Sequence, residues 1–197
     1  MNKGRYTRDN IIAQAATLFN TRGYAGASMA ELMQVTGLKK GGIYNHFKSK
    51  EEILLSAFEY SLKTAKDKLR TVIEDKPGAT EKLIGIIEYY RYYPLNPVIK
   101  GGCPILNSIV DSDNTDSVLK ERAKLAVEDM IWELERIIAY GIRRGEFKQD
   151  VDAYKTAVFI FTAIEGGVAI TRGQEDNRIM EIVSDQLLSY VDKELRQ

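Results

Sequence analysis

The 197-residue sequence contains a single cysteine, a single histidine and only four prolines. Since Cys103 has no partner cysteine within the chain, a scaffold held together by internal disulfides is excluded. Cys103 and His46 are also too few to form a Cys/His zinc cluster. We therefore expect no metal site and no cofactor.

Long apolar segments are missing as well. The most apolar run, residues 157–164, is far shorter than the roughly 18 residues that a membrane-spanning helix requires. The N-terminus begins with charged residues and has no apolar signal core. The apolar fraction of 44% and the length of the chain are sufficient for a folded core. These features favour a soluble, cytoplasmic protein with no membrane partner.

Strand patterns bounded by hairpin turns are also absent. Apolar residues instead recur at the three- and four-residue spacing of helices, as in Ile11, Ala15 and Phe19. The prolines all lie between residues 77 and 104, so helix breakers are concentrated in the middle of the chain. The sequence therefore predicts an all-α protein.

Charge is balanced over the whole chain but is unevenly distributed. There are 28 Lys and Arg against 28 Asp and Glu, yet residues 1–50 contain eight basic and two acidic side chains. Residues 1–50 therefore carry a net charge of +6, and residues 51–197 carry −6. A basic N-terminal region followed by an acidic remainder indicates that the N-terminal region meets an anionic partner.

Three helices are predicted within the basic region. The first ends at Gly23, the second starts with a capping box at Ser28, and the third spans about residues 39–47. Gly37 falls in the short turn between the second and third helices, which is the spacing of a helix-turn-helix. Six apolar residues are predicted to form its core: Ile11, Ala15, Phe19, Leu32, Ile43 and Phe47.

The third helix has the size and the residue types to read a DNA major groove. Lysine donates to guanine, asparagine pairs with adenine, and glycine lets the backbone approach closely. The residues expected to be exposed on this helix are Lys39, Lys40, Gly41, Gly42, Asn45 and His46. Phosphate contacts are expected from Ser28, Tyr44, His46, Lys48 and Lys50. Such contacts supply affinity and register but little sequence information.

The segment from Ala27 to Ile53 resembles the DNA-binding domain of the TetR family of bacterial transcriptional regulators. The resemblance covers about residues 7–55. It depends on Gly23-Tyr24 after the first helix, the Ile-Tyr-X-His-Phe run at 43–47 and Lys-Glu-Glu at 50–52. It implies an all-helical homodimer that represses transcription from a palindromic operator in double-stranded DNA. It also implies that a small-molecule effector binds the C-terminal body and releases the repressor.

The same resemblance assigns roles to individual residues. Phosphate contacts are implied for Ser28, Tyr44, His46 and Lys50. Base contacts are implied for Lys39, Lys40, Gly41, Gly42 and Asn45. Two positions depart from the family pattern, which usually has a capping Ser or Thr in place of Lys39 and a small hydroxyl or similar residue in place of Gly42. Loss of the cap costs about 1 kcal/mol and Gly42 about 1 kcal/mol relative to alanine, so we expect this helix to be soft without DNA.

The last two predicted helices carry the apolar surface expected to form a dimer. Residues 157–164 are apolar on all sides and must be covered on both faces. Pairing two helices across a two-fold axis gives a four-helix interface, whereas a core helix buried within one subunit is the alternative. The expected interface residues are Phe159, Ala163, Gly166, Gly167, Ile179, Val183, Leu187 and Tyr190.

An aromatic cluster in the middle of the chain is expected to line a ligand pocket. Tyrosine and tryptophan combine apolar faces with polar tips, which suits a site that orients a ligand, although a Tyr-Tyr-Arg-Tyr-Tyr run cannot point entirely inward. The expected pocket residues are Tyr89, Tyr92, Tyr93, Cys103, Asn107, Trp132 and Phe161. Cys103 is either a small buried residue or a redox-sensing thiol at a helix N-terminus. Its Gly-Gly-Cys segment also resembles one branch of the TetR family.

The sign of the charge changes inside the helix that opens at Ser49. This change predicts a DNA-binding domain of residues 1–50 and a ligand-binding and dimerisation domain of residues 51–197. An enzyme is not expected, because residues 39–42 lack the order of a phosphate-binding loop and Cys103 lies far along the chain from His46. Two alternatives remain: a helical small-molecule-binding protein without DNA function, and a DNA-binding regulator without a small-molecule effector.

Overall fold

The computed structural model describes residues 3–115 and 117–197, of Lys3 only the backbone. Within these ranges the chain forms nine α-helices and no β-strand, which confirms the all-α prediction. The helices are α1 (Lys3–Gly26), α2 (Met29–Thr36), α3 (Lys40–Tyr44), α4 (Lys50–Ile73), α5 (Ala79–Arg91), α6 (Pro104–Ser112), α7 (Val118–Arg144), α8 (Ala153–Gln174) and α9 (Arg178–Tyr190). A π-helical turn at Val191–Leu195 follows α9.

The described chain divides into two compact units. The first unit contains the residues up to 65 together with 99–123, and the second unit contains 66–98 and 124–197. This division differs from the predicted boundary at residue 50, because the chain returns after residue 98 and places α6 in the first unit. Helix periodicity describes each helix separately, so it carries no signal for this return.

The first unit buries the core that the sequence predicts for the helix-turn-helix. All six predicted core residues are buried: Ile11, Ala15, Phe19, Leu32, Ile43 and Phe47. Gly23 has a φ of 71° and interrupts the helical backbone of α1. Gly37 has a φ of 68° and closes α2 in the left-handed conformation. Both glycines lie where the sequence predicts a helix end, and this conformation strains residues that have a Cβ.

An amide network joins the loop before α6 to the end of α1. The side-chain nitrogen of Asn107 donates to the backbone and side-chain oxygens of Asn20, at 3.0 and 2.9 Å, and to the carbonyl of Gly101 at 2.8 Å. The side-chain nitrogen of Asn20 donates in return to the carbonyls of Lys100 and Gly102, at 3.2 and 3.0 Å. Since these groups satisfy one another, the network fixes the loop through hydrogen bonds between polar groups.

The second unit is built around α5, α7, α8 and α9. Its core contains apolar residues from all four helices, including Leu83, Ile138, Ile160 and Met180. By length and composition α8 is apolar enough to cross a membrane, but 44% of its apolar window is buried within the protein. Its apolar composition is that of a core helix, because α8 shares the core of the unit with α5, α7 and α9.

Glu146 caps the N-terminus of α5 from the turn after α7. Its carboxylate accepts hydrogen bonds from the backbone amides of Ala79 and Thr80, at 3.0 and 2.8 Å, and from the Thr80 hydroxyl at 2.9 Å. Burial alone would raise the pKa of Glu146, but these donors lower the pKa below its ordinary value of 4.5. The carboxylate is therefore stabilised in its charged form in the folded protein.

Replacing Glu146 with glutamine is expected to lower the free energy of unfolding by about 1–2 kcal/mol, because the amide nitrogen opposes the donors of α5. The pKa of Glu146 is lower in the folded protein than in the unfolded chain. The stabilisation by its charged carboxylate is therefore complete above the ordinary value of 4.5 and is lost as pH falls through the folded-state pKa. Urea titrations from neutral to acid pH should show the difference between the two proteins shrinking. The exposed residue Glu128 supplies the control, because Glu128→Gln should have little effect at any pH. A difference independent of pH would contradict the assignment.

Candidate DNA-binding surface and ligand cavity

The turn between α2 and α3 positions the predicted recognition helix. Lys39 is the N-cap of α3, with φ −72° and ψ 156°, and its side chain makes no capping hydrogen bond. The α-helix ends at Tyr44, earlier than the predicted end near residue 47. A tight turn follows, in which the amide of His46 donates to the carbonyl of Ile43 at 2.9 Å. An uncapped start and two glycines in the first turn are the physical reason for so short a helix.

The predicted base-reading residues share one exposed surface on and beside α3. Lys39, Lys40, Gly41, Tyr44 and Asn45 are exposed, whereas Gly42 and His46 are half-buried. The ammonium of Lys40 lies 5.9 Å from the centre of the Tyr44 ring. Ile43 points the other way and is buried. The surface therefore presents two cations, an amide and a phenol hydroxyl to solvent.

Lys50, expected at phosphate, is bound inside the first unit. Its ammonium donates to the carbonyl of Tyr24 at 2.7 Å and lies 4.3 Å from the centre of the Tyr24 ring. Burial lowers the pKa of Lys50, while the nearby charges of Asp111 and Glu31 act in the opposite direction. Because Asp111 also accepts the amide of Tyr24 at 2.8 Å, Lys50 belongs to a cluster that fixes the entry to α2.

Ser28 also has partners within the protein. Its hydroxyl accepts the amide of Glu31 at 3.1 Å, and its amide and hydroxyl donate to the Glu31 carboxylate at 2.8 and 2.9 Å. The hydrogen bond from the Ser28 backbone lowers the pKa of Glu31, so this carboxylate is charged at neutral pH. The predicted capping box is thus confirmed, and an acidic group occupies the amide end of α2, where an anion was expected.

Arg8 is a functional candidate that the sequence analysis missed. Its guanidinium lies 4.7 Å from the centre of the Phe47 ring and donates to the Ser56 hydroxyl at 3.5 Å. It also lies 3.9 Å from Glu52, which accepts the amide of Lys48 at 2.6 Å. Arg8 therefore covers the end of the recognition segment and joins α1 to the start of α4. No local motif signals this role, because its partners lie more than 35 residues away.

Replacing Lys39 with serine is expected to stabilise the first unit by about 1 kcal/mol, because serine supplies the missing cap. Thermal unfolding and amide exchange of residues in α3 would measure the gain. Lys40→Ser is the matched control: it removes the same charge one residue later, within the helix, where the hydroxyl cannot cap. Equal stability changes in the two variants would show that charge, and not capping, is responsible.

A cavity of about 190 Å³ lies within the second unit. It is bounded by α4, α5, α7 and α8. Its apolar lining consists of Leu69, Ile73, Ile86, Met130, Leu134, Ile137, Phe161 and Ile164. Tyr90, Lys66, Arg70 and Glu133 complete the wall. A cavity of this composition receives the apolar part of a small molecule and leaves polar groups for its head group.

Only one predicted pocket residue, Phe161, lines this cavity. From the tyrosine run it is Tyr90 that reaches the cavity, a residue the prediction did not select. The rings of Tyr89 and Tyr93 contact each other with centroids 5.7 Å apart, and Tyr93 is buried in the core. Tyr92 is 57% exposed. The inward face of α5 is set by its packing on α8 and α9, which the run of four tyrosines does not reveal.

The other three predicted pocket residues lie elsewhere. Trp132 is 50% exposed, and the Arg136 guanidinium covers its ring at 4.6 Å. Cys103 is buried in the first unit, and Asn107 belongs to the amide network there. The buried position of Cys103 matches the expectation of a small core residue, since a sensor thiol needs access to solvent.

The predicted dimer residues fall into two sets. Phe159, Ala163, Gly166, Ile179, Val183 and Tyr190 are exposed or half-buried on α8 and α9. The rings of Phe159 and Tyr190 meet with centroids 5.0 Å apart. Gly167 and Leu187 instead pack inside the unit: a Cβ at Gly167 would lie 2.8 Å from the sulfur of Met180, and Leu187 is 2% exposed. Within the unit Gly167 lets α8 approach α9 closely, and Leu187 contributes to the core.

A helix-turn-helix with exposed lysines, in a chain whose other unit contains an apolar-lined cavity, defines the class of DNA-binding transcriptional regulators. The chain belongs to the TetR family. The family model described as "Bacterial regulatory proteins, tetR family" matches residues 11–57. The model described as "Tetracyclin repressor-like, C-terminal domain" matches residues 79–187. Family membership confirms the predicted resemblance. It also confirms that the protein functions as a transcriptional regulator and not as an enzyme.

Solved structures and curated proteins agree with this assignment. A TetR regulator from Chloroflexus aurantiacus is 36% identical, with a TM-score of 0.95 over 100% of this chain and 99% of that one. A second, from Cytophaga hutchinsonii, is 30% identical, with a TM-score of 0.89 over 98% of this chain and 96% of that one. The HTH-type transcriptional regulator TtgR of Pseudomonas putida is 25% identical over 170 residues, which cover 81% of this chain and 77% of the relative.

Proposed function

We propose that this regulator is a homodimeric repressor that a small-molecule effector releases from a palindromic operator. The observation that carries the proposal is the occurrence, in one chain, of an exposed basic recognition helix and a partly open cavity with an apolar lining. Regulators of this family bind DNA and typically form dimers. The protein acts in the cytoplasm, where the DNA lies.

The recognition helix enters the major groove with its N-terminal residues against the bases. Lys39, Lys40 and Asn45 supply donors and acceptors to base edges, and Gly41 and Gly42 permit close approach. Tyr44 and His46 donate to phosphates. The Ser28 hydroxyl donates its one proton to Glu31 and reaches phosphate only by leaving it, so its contribution is smaller than the sequence suggests. The Lys50 ammonium has three donors, and it keeps donors for phosphate beside the one that binds the Tyr24 carbonyl.

The dimer forms through an apolar face of α8 and α9. This face consists of Phe159, Ala163, Gly166, Ile170, Ile179, Ile182 and Tyr190, of which Ile170 and Ile182 are 55% and 60% exposed. Covering such a face with a second copy removes apolar surface from water and produces a two-fold axis. The same axis places two recognition helices on successive major-groove faces of a palindrome.

Binding to DNA is expected to weaken by about 10³-fold or more between 50 and 200 mM salt, because a dimer that makes six or more phosphate contacts releases the counterions. The DNA is a labelled duplex that the purified protein selects from a random library. Fluorescence anisotropy of this duplex would measure its binding to the protein. Lys40→Ala should weaken binding and alter base preference, whereas Lys68→Ala removes another exposed lysine, outside the recognition surface, and should change neither. Affinity that does not vary with salt would contradict the nucleic-acid function.

Release by an effector is tested on the same complex. A library of small molecules is screened for thermal stabilisation of the free protein, and each hit is added to the protein–DNA complex. A ligand that binds the two states with different affinity shifts the equilibrium between them, so hits should release the DNA. If the hits stabilise the protein but leave DNA binding intact, release by an effector is contradicted. The protein would then be a constitutive DNA-binding regulator.

A further inference from the structure

The charged groups around the cavity of the second unit do not cancel. The ammonium of Lys66 forms an ion pair with Asp129. The carboxylate of Glu133 lies 3.8 Å from the guanidinium of Arg136. Arg70 also lines the cavity and is exposed to solvent, but it forms no ion pair with any residue that the structure describes. The open side of the cavity therefore carries one uncompensated positive charge.

The size of the cavity limits the apolar part of its ligand. Its volume of about 190 Å³ slightly exceeds that of an engineered apolar cavity of about 150 Å³ that binds benzene. Eight aliphatic or aromatic side chains line it and Tyr90 adds one phenol, so the lining favours an apolar ligand body over a charged one. The ligand body is thus compact, apolar and on the order of a phenyl ring with a short chain.

We infer that the effector is a small monocarboxylate with such an apolar body, and that Arg70 binds its carboxylate. The inference rests on the proposed function, since it names the ligand class of the proposed effector site. A guanidinium presents two parallel N–H donors that match the two oxygens of a carboxylate, which a single ammonium cannot do. The apolar body fills the space beneath, between Ile137, Phe161 and Ile164.

Three probes with one phenylpropyl body separate the head groups: 3-phenylpropionate, 3-phenyl-1-propanol and 3-phenylpropylamine. Isothermal titration of the full-length protein should give the tightest binding for the carboxylate, by roughly fivefold over the alcohol, and the weakest for the amine. Acetate, which has the charge and lacks the body, should not bind. A preference for the alcohol or the amine, or equal binding of acetate, would overturn the inference.

Variants test the residues. Arg70→Gln should reduce the affinity of the carboxylate to that of the alcohol and leave the alcohol unchanged. Arg143→Gln is the matched control, since Arg143 is an exposed arginine outside the cavity and its removal should affect none of the probes. Ile137→Phe narrows the cavity from a half-buried position and should weaken all three phenylpropyl probes. Carboxylate affinity that survives Arg70→Gln would show that another group binds the anion.

A separate measurement distinguishes failure of the proposed function from failure of the ligand class. DNA binding of the parent and of Arg70→Gln is measured without any probe, and both should bind the selected duplex equally. A parent protein that does not bind DNA would contradict the proposed function, independently of how the probes bind. Normal DNA binding with the wrong order of head groups, or with no binding of any probe, would overturn only the carboxylate inference.

Discussion

Replacing Gly101 with alanine is expected to lower the free energy of unfolding by about 3 kcal/mol or more. Gly101 has a φ of 112°, a conformation that L-residues with a Cβ rarely adopt. A Cβ at this position would also lie 2.4 Å from the carbonyl oxygen of Asn20. That oxygen is backbone and accepts from Asn107, so it cannot move without breaking the amide network.

Urea unfolding of Gly101→Ala against the parent protein measures this loss. Gly173→Ala is the control, because Gly173 lies in the last turn of α8, and nothing lies within 4 Å of a Cβ built there. That variant should gain about 0.5–1 kcal/mol, since alanine favours the helix. A Gly101→Ala protein as stable as the parent would mean that the loop before α6 rearranges at no cost.

The local features of the first unit were predictable from the sequence. Gly23 and Gly37 signal helix ends because glycine adopts a positive φ without the strain that a Cβ causes, and both adopt a positive φ here. The Ser28 and Glu31 capping box depends on residues three apart, so a short sequence window contains the whole interaction. The burial of Leu32 and Ile43 follows from helical spacing in the same way.

Contacts between distant segments were not predictable in this way. Asn107 was expected in a ligand pocket, but its side chain binds Asn20, 87 residues earlier. Lys50 is predicted to contact phosphate, and its ammonium has in addition a partner that the sequence does not signal, the carbonyl of Tyr24. In both cases the residue type predicts a hydrogen-bonding side chain. Its partner depends on tertiary packing, which brings distant segments together. The same limit explains why Tyr90 lines the cavity and Tyr92 faces solvent.

The double variant Ile170→Asp with Ile182→Asp is expected to convert the proposed dimer into monomers. Each isoleucine is more than half exposed in a single subunit, at 55% and 60%, so the change should leave the fold of the subunit intact. In a dimer the apolar face of α8 and α9 would bury four carboxylates without partners, and each costs several kcal/mol to desolvate. Analytical ultracentrifugation should show a dissociation constant raised about 100-fold or more.

DNA binding should fall together with the dimer, because a monomer places one recognition helix in one half-site and loses the effective concentration of the second. The control is Val118→Asp, which puts one such carboxylate on an exposed valine at the start of α7, where an acidic side chain suits the helix N-terminus. It should sediment and bind DNA as the parent does. A double variant that remains dimeric while circular dichroism shows an intact fold would place the subunit interface elsewhere. If it becomes monomeric yet binds the selected duplex with unchanged affinity, DNA recognition does not require the two-fold axis, and the palindromic operator would have to be abandoned.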